Sequence, residues 1–248
     1  MSDTQTVSVL SKEEKKAGLS GSTLKLIAIV TMFIDHLGVV AFETHLDEYM
    51  IPYYAMRLIG RLAFPIYCFL LVEGFYHTRD VKKYALRLLL FAFISEIPFD
   101  LAFNRQMFYW RYQNVFFTLF IGLTVIALMH HAKEVFKGLM RFLVECAVLI
   151  AGIILAQLLY TDYGAVGVLA IVFIYMFKQY RSNALALGVS VLWLSAMNTL
   201  ESPALIDILL VKFYNGKRGL DLKYVFYAFY PVHLLLLYLF FHFILKTV

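Results

Sequence analysis

Apolar residues along this chain are gathered into nine runs, at 24–42, 58–76, 84–103, 115–129, 139–159, 166–177, 184–200, 204–214 and 223–245, separated by short polar stretches. Most of these runs approach the ~20 residues a helix needs to cross a bilayer. Lipid offers no partner to open backbone groups, so each run is expected to be helical. The predicted fold is all-α: a polytopic integral membrane helical bundle of about nine transmembrane helices, or eight if the short 204–214 run does not span. Residues 1–20 are polar and mixed in charge, with Lys12, Glu13, Glu14, Lys15 and Lys16. No small-residue cleavage site follows the first apolar run, so this segment is expected to be a cytoplasmic tail and not a removable signal peptide. Residues 21–248 are expected to form a single transmembrane domain, with no internal repeat, low-complexity segment or linker to divide it.

Composition supports this reading. Of the 248 residues 62% are hydrophobic and 16% are charged, against roughly 25% charged in an ordinary soluble domain. Cys68 and Cys146 both lie within apolar runs, where thiols act as small hydrophobes, which excludes a disulfide scaffold. The net charge of +5 does not imply a nucleic-acid partner, because the cations form short clusters between apolar runs and no continuous stripe. Their distribution sets an orientation instead. With the N-terminus inside and nine spans, seventeen Lys and Arg residues fall on the cytoplasmic side, and only Arg57, Arg61, Arg105, Arg111 and Lys246 on the other. This positive-inside bias predicts a cytoplasmic N-terminus and an external C-terminus. It also favours keeping the 204–214 span, since omitting it would carry Lys217 and Arg218 outside.

Ionisable side chains within spans are costly and mark function by default. Counting ~1.5 Å per residue from the cytoplasmic end of each helix, His36 and Glu96 lie about 18 Å deep and His233 about 15 Å, so three helices contribute to one layer near the midplane. Asp100 shares a helix face with Glu96 at i+4. Arg57 and Arg61, also i and i+4, enter from the outer end of the second run near the level of Asp100, and a charge-balanced cluster is expected there. Asp35 stands next to His36 in sequence, which sets the two side chains about 100° apart and disfavours a direct pair. Glu96 or Asp100 is therefore the expected partner if a carboxylate orients His36. His36 is the candidate for moving a proton near neutral pH. His233 follows Pro231 by two residues and is open to either a ligand contact or a structural part. No HExxH or CxxC spacing is present and His130-His131 lies beside Lys133, so no metal is expected. There is no GxSxG to suggest a serine nucleophile. On the inner face Tyr214-Asn-Gly-Lys-Arg-Gly219 reads as a tight basic turn, in which Lys217 and Arg218 offer a fork for phosphates, or as an ordinary positive-inside loop.

Taken in order, Ser22-Thr-Leu-Lys25, Ile34-Asp-His-Leu-Gly38, Arg57-Leu-Ile-Gly-Arg-Leu-Ala-Phe-Pro65, Glu73-Gly-Phe-Tyr-His77, Ser95-Glu-Ile-Pro-Phe-Asp100, Gln113-Asn-Val-Phe-Phe-Thr118, Thr161-Asp-Tyr-Gly164, the 214–219 turn and Tyr230-Pro-Val-His233 resemble the TraX family. The resemblance covers nearly the whole chain from about Ser20 to Leu245. It implies an enzyme of the bacterial inner membrane that transfers an acetyl group from acetyl-CoA, the founding activity being acetylation of a conjugative pilin N-terminus. It also implies a distant relation to transmembrane acyltransferases that use a first-span histidine to pass acyl groups from cytosolic CoA to acceptors across the membrane. On that footing the expected acceptor is an amine or hydroxyl on a pilin-like protein, a glycan or a lipid. His36 would be the general base, Glu96 or Asp100 would set its tautomer, Asp35 would complete the catalytic group, and Arg61 would stabilise the oxyanion. A covalent acyl-histidine is a variant of the same scheme. Tyr214, Asn215, Lys217 and Arg218 would hold the CoA, and Arg57, His233 and Asn114 would complete the polar layer. A proton-coupled transporter also needs intramembrane His, Glu and Asp, but the paired repeats common in such folds are not visible. A non-enzymatic assembly protein is the other alternative.

Overall fold

The structure is a computed structural model, and it describes residues 18–221 and 223–245. Most of the expected tail therefore lies outside the described residues, as do Lys12, Lys15, Lys16 and Lys246. The order of helices is α1 (Gly21–Phe42), α2 (Leu46–Gly60), α3 (Ala63–His77), α4 (Val81–Asn104), α5 (Val115–Val135), α6 (Gly138–Leu158), α7 (Gly164–Phe177), α8 (Asn183–Met197), α9 (Ile206–Lys212) and α10 (Lys223–Leu239). Short 3-10 segments precede α2 (Glu43–His45), follow α7 (Lys178–Tyr180) and precede α9 (Thr199–Leu205), and a π turn (Phe240–Leu245) follows α10. Among the described residues there is no strand, only isolated bridges of Leu19 with Tyr214 and of Gln113 with Thr161.

The chain is thus an all-helical membrane protein. Four helical stretches are long and apolar enough to cross a bilayer by themselves, at Gly21–His77, Val115–Val135, Gly138–Leu158 and Tyr224–Ile244. The others are shorter or interrupted, and length alone does not make spans of them. The solvent these helices expect is visible on α6, where Gly152 and Ala156 are the only buried residues. A side chain at Gly152 would collide with Val125 of α5, so the small pair lets two backbones approach closely in lipid. The rest of α6 presents Leu139, Leu143, Ile150 and Leu158 outward, a face stable only against hydrocarbon.

The second run differs from its expected form. Helix begins at Leu46, well before residue 58, because Asp47, Glu48 and Pro52 lower the apolar density of a stretch that is nonetheless helical. Its geometry is non-helical at Tyr49 (φ −115°, ψ 26°), which leaves Pro52 in the first turn of the regular part, where a missing N–H costs little. The run then breaks at Arg61-Leu62. Pro65 has no N–H to donate to the Arg61 carbonyl and its ring crowds that carbonyl, so the ladder of α2 cannot pass into α3.

The eighth run also starts earlier than expected, as the 3-10 segment Thr199–Leu205 leading into the seven residues of α9. At ~2.0 Å and ~1.5 Å rise per residue the pair is roughly 25 Å long.

The two ends of the bundle are chemically distinct. At one end the start of α1 meets the turn after α9, with the Gly21 amide donating to the Lys217 carbonyl at 2.8 Å. Lys178, just after α7, pairs there with Glu73 near the end of α3. Asp80 caps α4, and the hydrogen bond from the Lys83 amide holds its carboxyl below the ordinary carboxylate range. At the opposite end the loop before α5 is tied to the loop before α7 (Gln113 amide to Tyr160 carbonyl 3.0 Å, Asp162 amide to Gln113 carbonyl 2.8 Å). Helix α1 stands between the two ends, packed against α2, α3 and α10, and carries Asp35 and His36 in its second half.

Candidate active site

Where α2 breaks, the negative end of its dipole favours positive charge. Arg57 and Arg61 supply it, and the Arg61 Nε donates to the Arg57 carbonyl at 3.1 Å. Asp35 of α1 faces both arginines: Arg57 Nη1 donates to Oδ2 at 2.6 Å, and Arg61 Nη2 to Oδ1 at 2.9 Å and Oδ2 at 3.1 Å. Gly60 makes this approach possible, since a Cβ there would occupy the space of the Asp35 carboxyl. The remaining Arg61 nitrogen, Nη1, donates to Glu201 at 3.0 Å. All three nitrogens of Arg61 are therefore engaged, whereas Arg57 is bound through Nη1 alone.

This arrangement corrects the expected cluster of Arg57 and Arg61 with Asp100. Their carboxylates are Asp35 and Glu201. Glu201 was not foreseen because it falls between two apolar runs, in a stretch that reads as a loop. The signal that points to it is charge balance, since two arginines in an apolar setting call for two acids.

His36, one residue after Asp35, turns to another helix. Its Nδ1 lies 2.7 Å from Nε2 of His233 on α10, and the two rings are parallel to within 6°. His233 is buried, and its Nδ1 lies 2.7 Å from the Phe229 carbonyl. Phe103 and Tyr230 stand edge-on to His36, with ring centroids 5.1 Å and 5.9 Å away. The structure thus brings His36 and His233 together, and a histidine, not Glu96 or Asp100, orients His36.

The two acids of α4 are used elsewhere. Glu96 accepts from the Asn114 side chain and, at 3.5 Å, from its amide. Asn114 is the N-cap of α5 and also donates to the Ala92 carbonyl at 2.8 Å, so this pair binds the start of α5 to α4. Asp100 accepts from the Tyr109 amide at 2.7 Å and from Asn104 at 3.3 Å, which holds the 105–113 loop in place. Proximity in depth had suggested a shared task with His36, but a helix face at the right depth can still point to a different neighbour.

Cavities enter the bundle from both ends. A cavity of about 600 Å³ opens at the basic end, within the size range of small-molecule sites. Lys25, Arg79, Arg87 and Arg218 line it, with Glu73 as the only carboxylate of its lining, and Tyr84, Tyr214 and Tyr227 form its walls. The buried Arg87 Nε has no hydrogen-bond partner among the described residues. A second cavity of about 260 Å³ enters from the opposite end and is lined by His36, Asp35, Arg57, Arg61 and Asp162. Met32, Tyr67, Val115 and Tyr230 line both cavities, so the two are separated by a single layer of side chains.

The basic turn is divided in its uses. Gly216 (φ +75°) and Gly219 (φ +74°) give it a path that other residues take only with strain. Asn215 fastens it to the segment just before α1, its amide donating to the Leu19 carbonyl at 2.9 Å and its side chain to the Gly18 carbonyl at 3.1 Å. Tyr214 and Arg218 line the cavity, but Lys217 does not. Of the expected Lys217–Arg218 fork, Arg218 thus faces the cavity, beside Lys25, Arg79 and Arg87 from three other elements.

The sequence that builds this site has known relatives. A family model described as TraX protein matches residues 20–241. The chain belongs to the TraX family. It is also similar to a protein of Dichelobacter nodosus named "Probable fimbrial assembly protein FimC, serogroup H1", with 31% identity over 242 residues that cover 88% of this chain and 94% of that relative. No solved structure matches. The TraX match spans both cavities, the His36–His233 pair and the ionic frame at the α2 break.

Proposed function

We propose that this TraX protein is a membrane-embedded acyltransferase of the bacterial inner membrane. It moves an acetyl or similar short acyl group from a cytosolic acyl-CoA to an amine or hydroxyl acceptor that reaches the site from the other side. The observation that carries this reading is the meeting of a basic cavity and a smaller charged cavity from opposite ends of the bundle, with His36 lining the smaller one next to Tyr230 of the shared wall. In this reading the basic cavity opens on the cytoplasmic face of a nine-crossing arrangement, with the N-terminus inside and the C-terminus outside, and the charge bias along the chain supports that orientation. The phosphates of CoA would meet Arg79, Arg87 and Arg218, and the pantetheine arm would run between aromatic walls toward Tyr67 and Tyr230. The acceptor X–H attacks the thioester carbonyl as His36 takes its proton. The C–S bond then breaks, and the proton passes to the departing thiolate. Arg57, with donors left over from its bond to Asp35, faces the oxyanion. Arg61 is fully engaged and holds the frame.

The relative's name links this family to fimbrial assembly, which agrees with a pilin-like acceptor. A part in assembly without catalysis would need neither cavity. Binding separates the two readings. Specific ligands stabilise the folded state by about 2.7 kcal/mol at a hundredfold excess over Kd. CoA and acetyl-CoA should therefore raise the melting temperature of the purified protein, and Arg79→Ala with Arg218→Ala should abolish most of that shift. A native protein unmoved by millimolar CoA would overturn the proposal.

A further inference from the structure

The hydrogen bonds around His233 fix where the protons of the histidine pair lie. The Phe229 carbonyl can only accept, so His233 Nδ1, 2.7 Å away, carries a hydrogen. A neutral imidazole has one N–H, which leaves His233 Nε2 as an acceptor. His36 Nδ1, 2.7 Å from that acceptor, must then be the donor. The hydrogen of His36 is thereby held on Nδ1, and its Nε2 is bare.

We infer that His233 is the positioning residue of this site: tied to the backbone of α10, it holds His36 in the tautomer whose unprotonated Nε2 can take a proton. The assignment rests on the acyl-transfer reading only for its consequence in that reaction. In hydrolases with a catalytic triad an acid performs this task. Here the acid next in sequence, Asp35, is bound to Arg57 and Arg61, and a neutral ring anchored to a carbonyl replaces it. When His36 Nε2 accepts the acceptor's proton, its Nδ1 hydrogen still points at His233 Nε2. The extra proton can then rest on either ring until the thiolate takes it, and no other group changes charge. Pro231 lies in the same turn as Phe229 and His233 and removes one ladder bond from it.

Nitrogen NMR of the reconstituted full chain, labelled with ¹⁵N-histidine, reads the tautomer without any reaction. The His36 signals are identified by their loss in His36→Gln. The native protein should show His36 protonated at Nδ1 and bare at Nε2. In His233→Ala both tautomers of His36 should be populated and the transfer rate should fall. In His233→Gln, whose amide oxygen can accept from Nδ1 and whose NH₂ can donate to the Phe229 carbonyl, the native tautomer should persist with a rate at least about tenfold above that of His233→Ala. A native His36 protonated at Nε2, or a tautomer unchanged in a folded His233→Ala protein, would overturn the assignment. If the tautomers behave as stated while even the native chain transfers no acyl group, the acyl-transfer reading fails and the role of His233 in setting the tautomer stands.

Discussion

Arg57 and Arg61 lie one helical turn apart and bind the same carboxylate, yet they differ in what depends on them. Arg61 is 12% exposed and joins Asp35 to Glu201, which is 4% exposed. Arg57 is 28% exposed and borders the cavity. Removing one partner of a buried ion pair costs about 3–5 kcal/mol, because the other charge is left without compensation. Arg61→Ala should therefore lower the melting temperature sharply and reduce the yield of folded protein. Arg57→Ala, which leaves Asp35 bound to Arg61, should fold nearly normally and lose activity. Thermal melts beside acyl-transfer rates check both, and equal instability of the two variants would remove the distinction. At this scale the sequence showed which residues to watch and much less about their pairings. His36, His233, Asp35 and the two arginines stand out because charge inside apolar runs is expensive. Partners depend on rotation about helix axes, which depth counting does not resolve, and so Glu96 and Asp100 were drawn toward His36 although they secure α5 and the 105–113 loop.

Among the elements, the break between α2 and α3 does the most to shape the site. It arises from Pro65, and it turns what hydropathy presents as one run into two helices whose termini meet inside the bundle, with Gly60 against Asp35. Gly60 is the point of closest approach. Gly60→Ala should push the Asp35 carboxyl off both arginines and destabilise the protein by about 1–3 kcal/mol, as overpacking does. Gly188→Ala in α8 is the contrasting case, since its new methyl would meet only Ile208 Cδ1, at 3.6 Å. There the lower chain entropy of alanine should leave stability unchanged or raise it by up to about 1 kcal/mol. Comparable losses at both positions would show that the α1–α2 contact is not specially tight. The long apolar helices were legible because about 20 apolar residues have few other fates. Helix α2 and the segment before α9 were not, because charge and proline interrupt their hydropathy while tertiary packing keeps them helical.

For the whole molecule, the central feature is a passage entered from both ends and closed in the middle by Met32, Tyr67, Val115 and Tyr230, with His36 beside that closure. The family could be read from motifs in order along the chain. The cavities could not, since their linings are assembled from distant elements. The proposed transfer across the bilayer would use this passage and can be measured directly. The purified protein is reconstituted into sealed vesicles with a short peptide bearing a free α-amine and a serine trapped inside, and labelled acetyl-CoA, which does not cross the bilayer, is added outside. The account predicts label on the trapped peptide, and a fall of roughly 10² to 10⁴ in that rate for His36→Gln, which cannot serve as a base. Label appearing only when peptide and acetyl-CoA share one side, or undiminished transfer by folded His36→Gln, would contradict it.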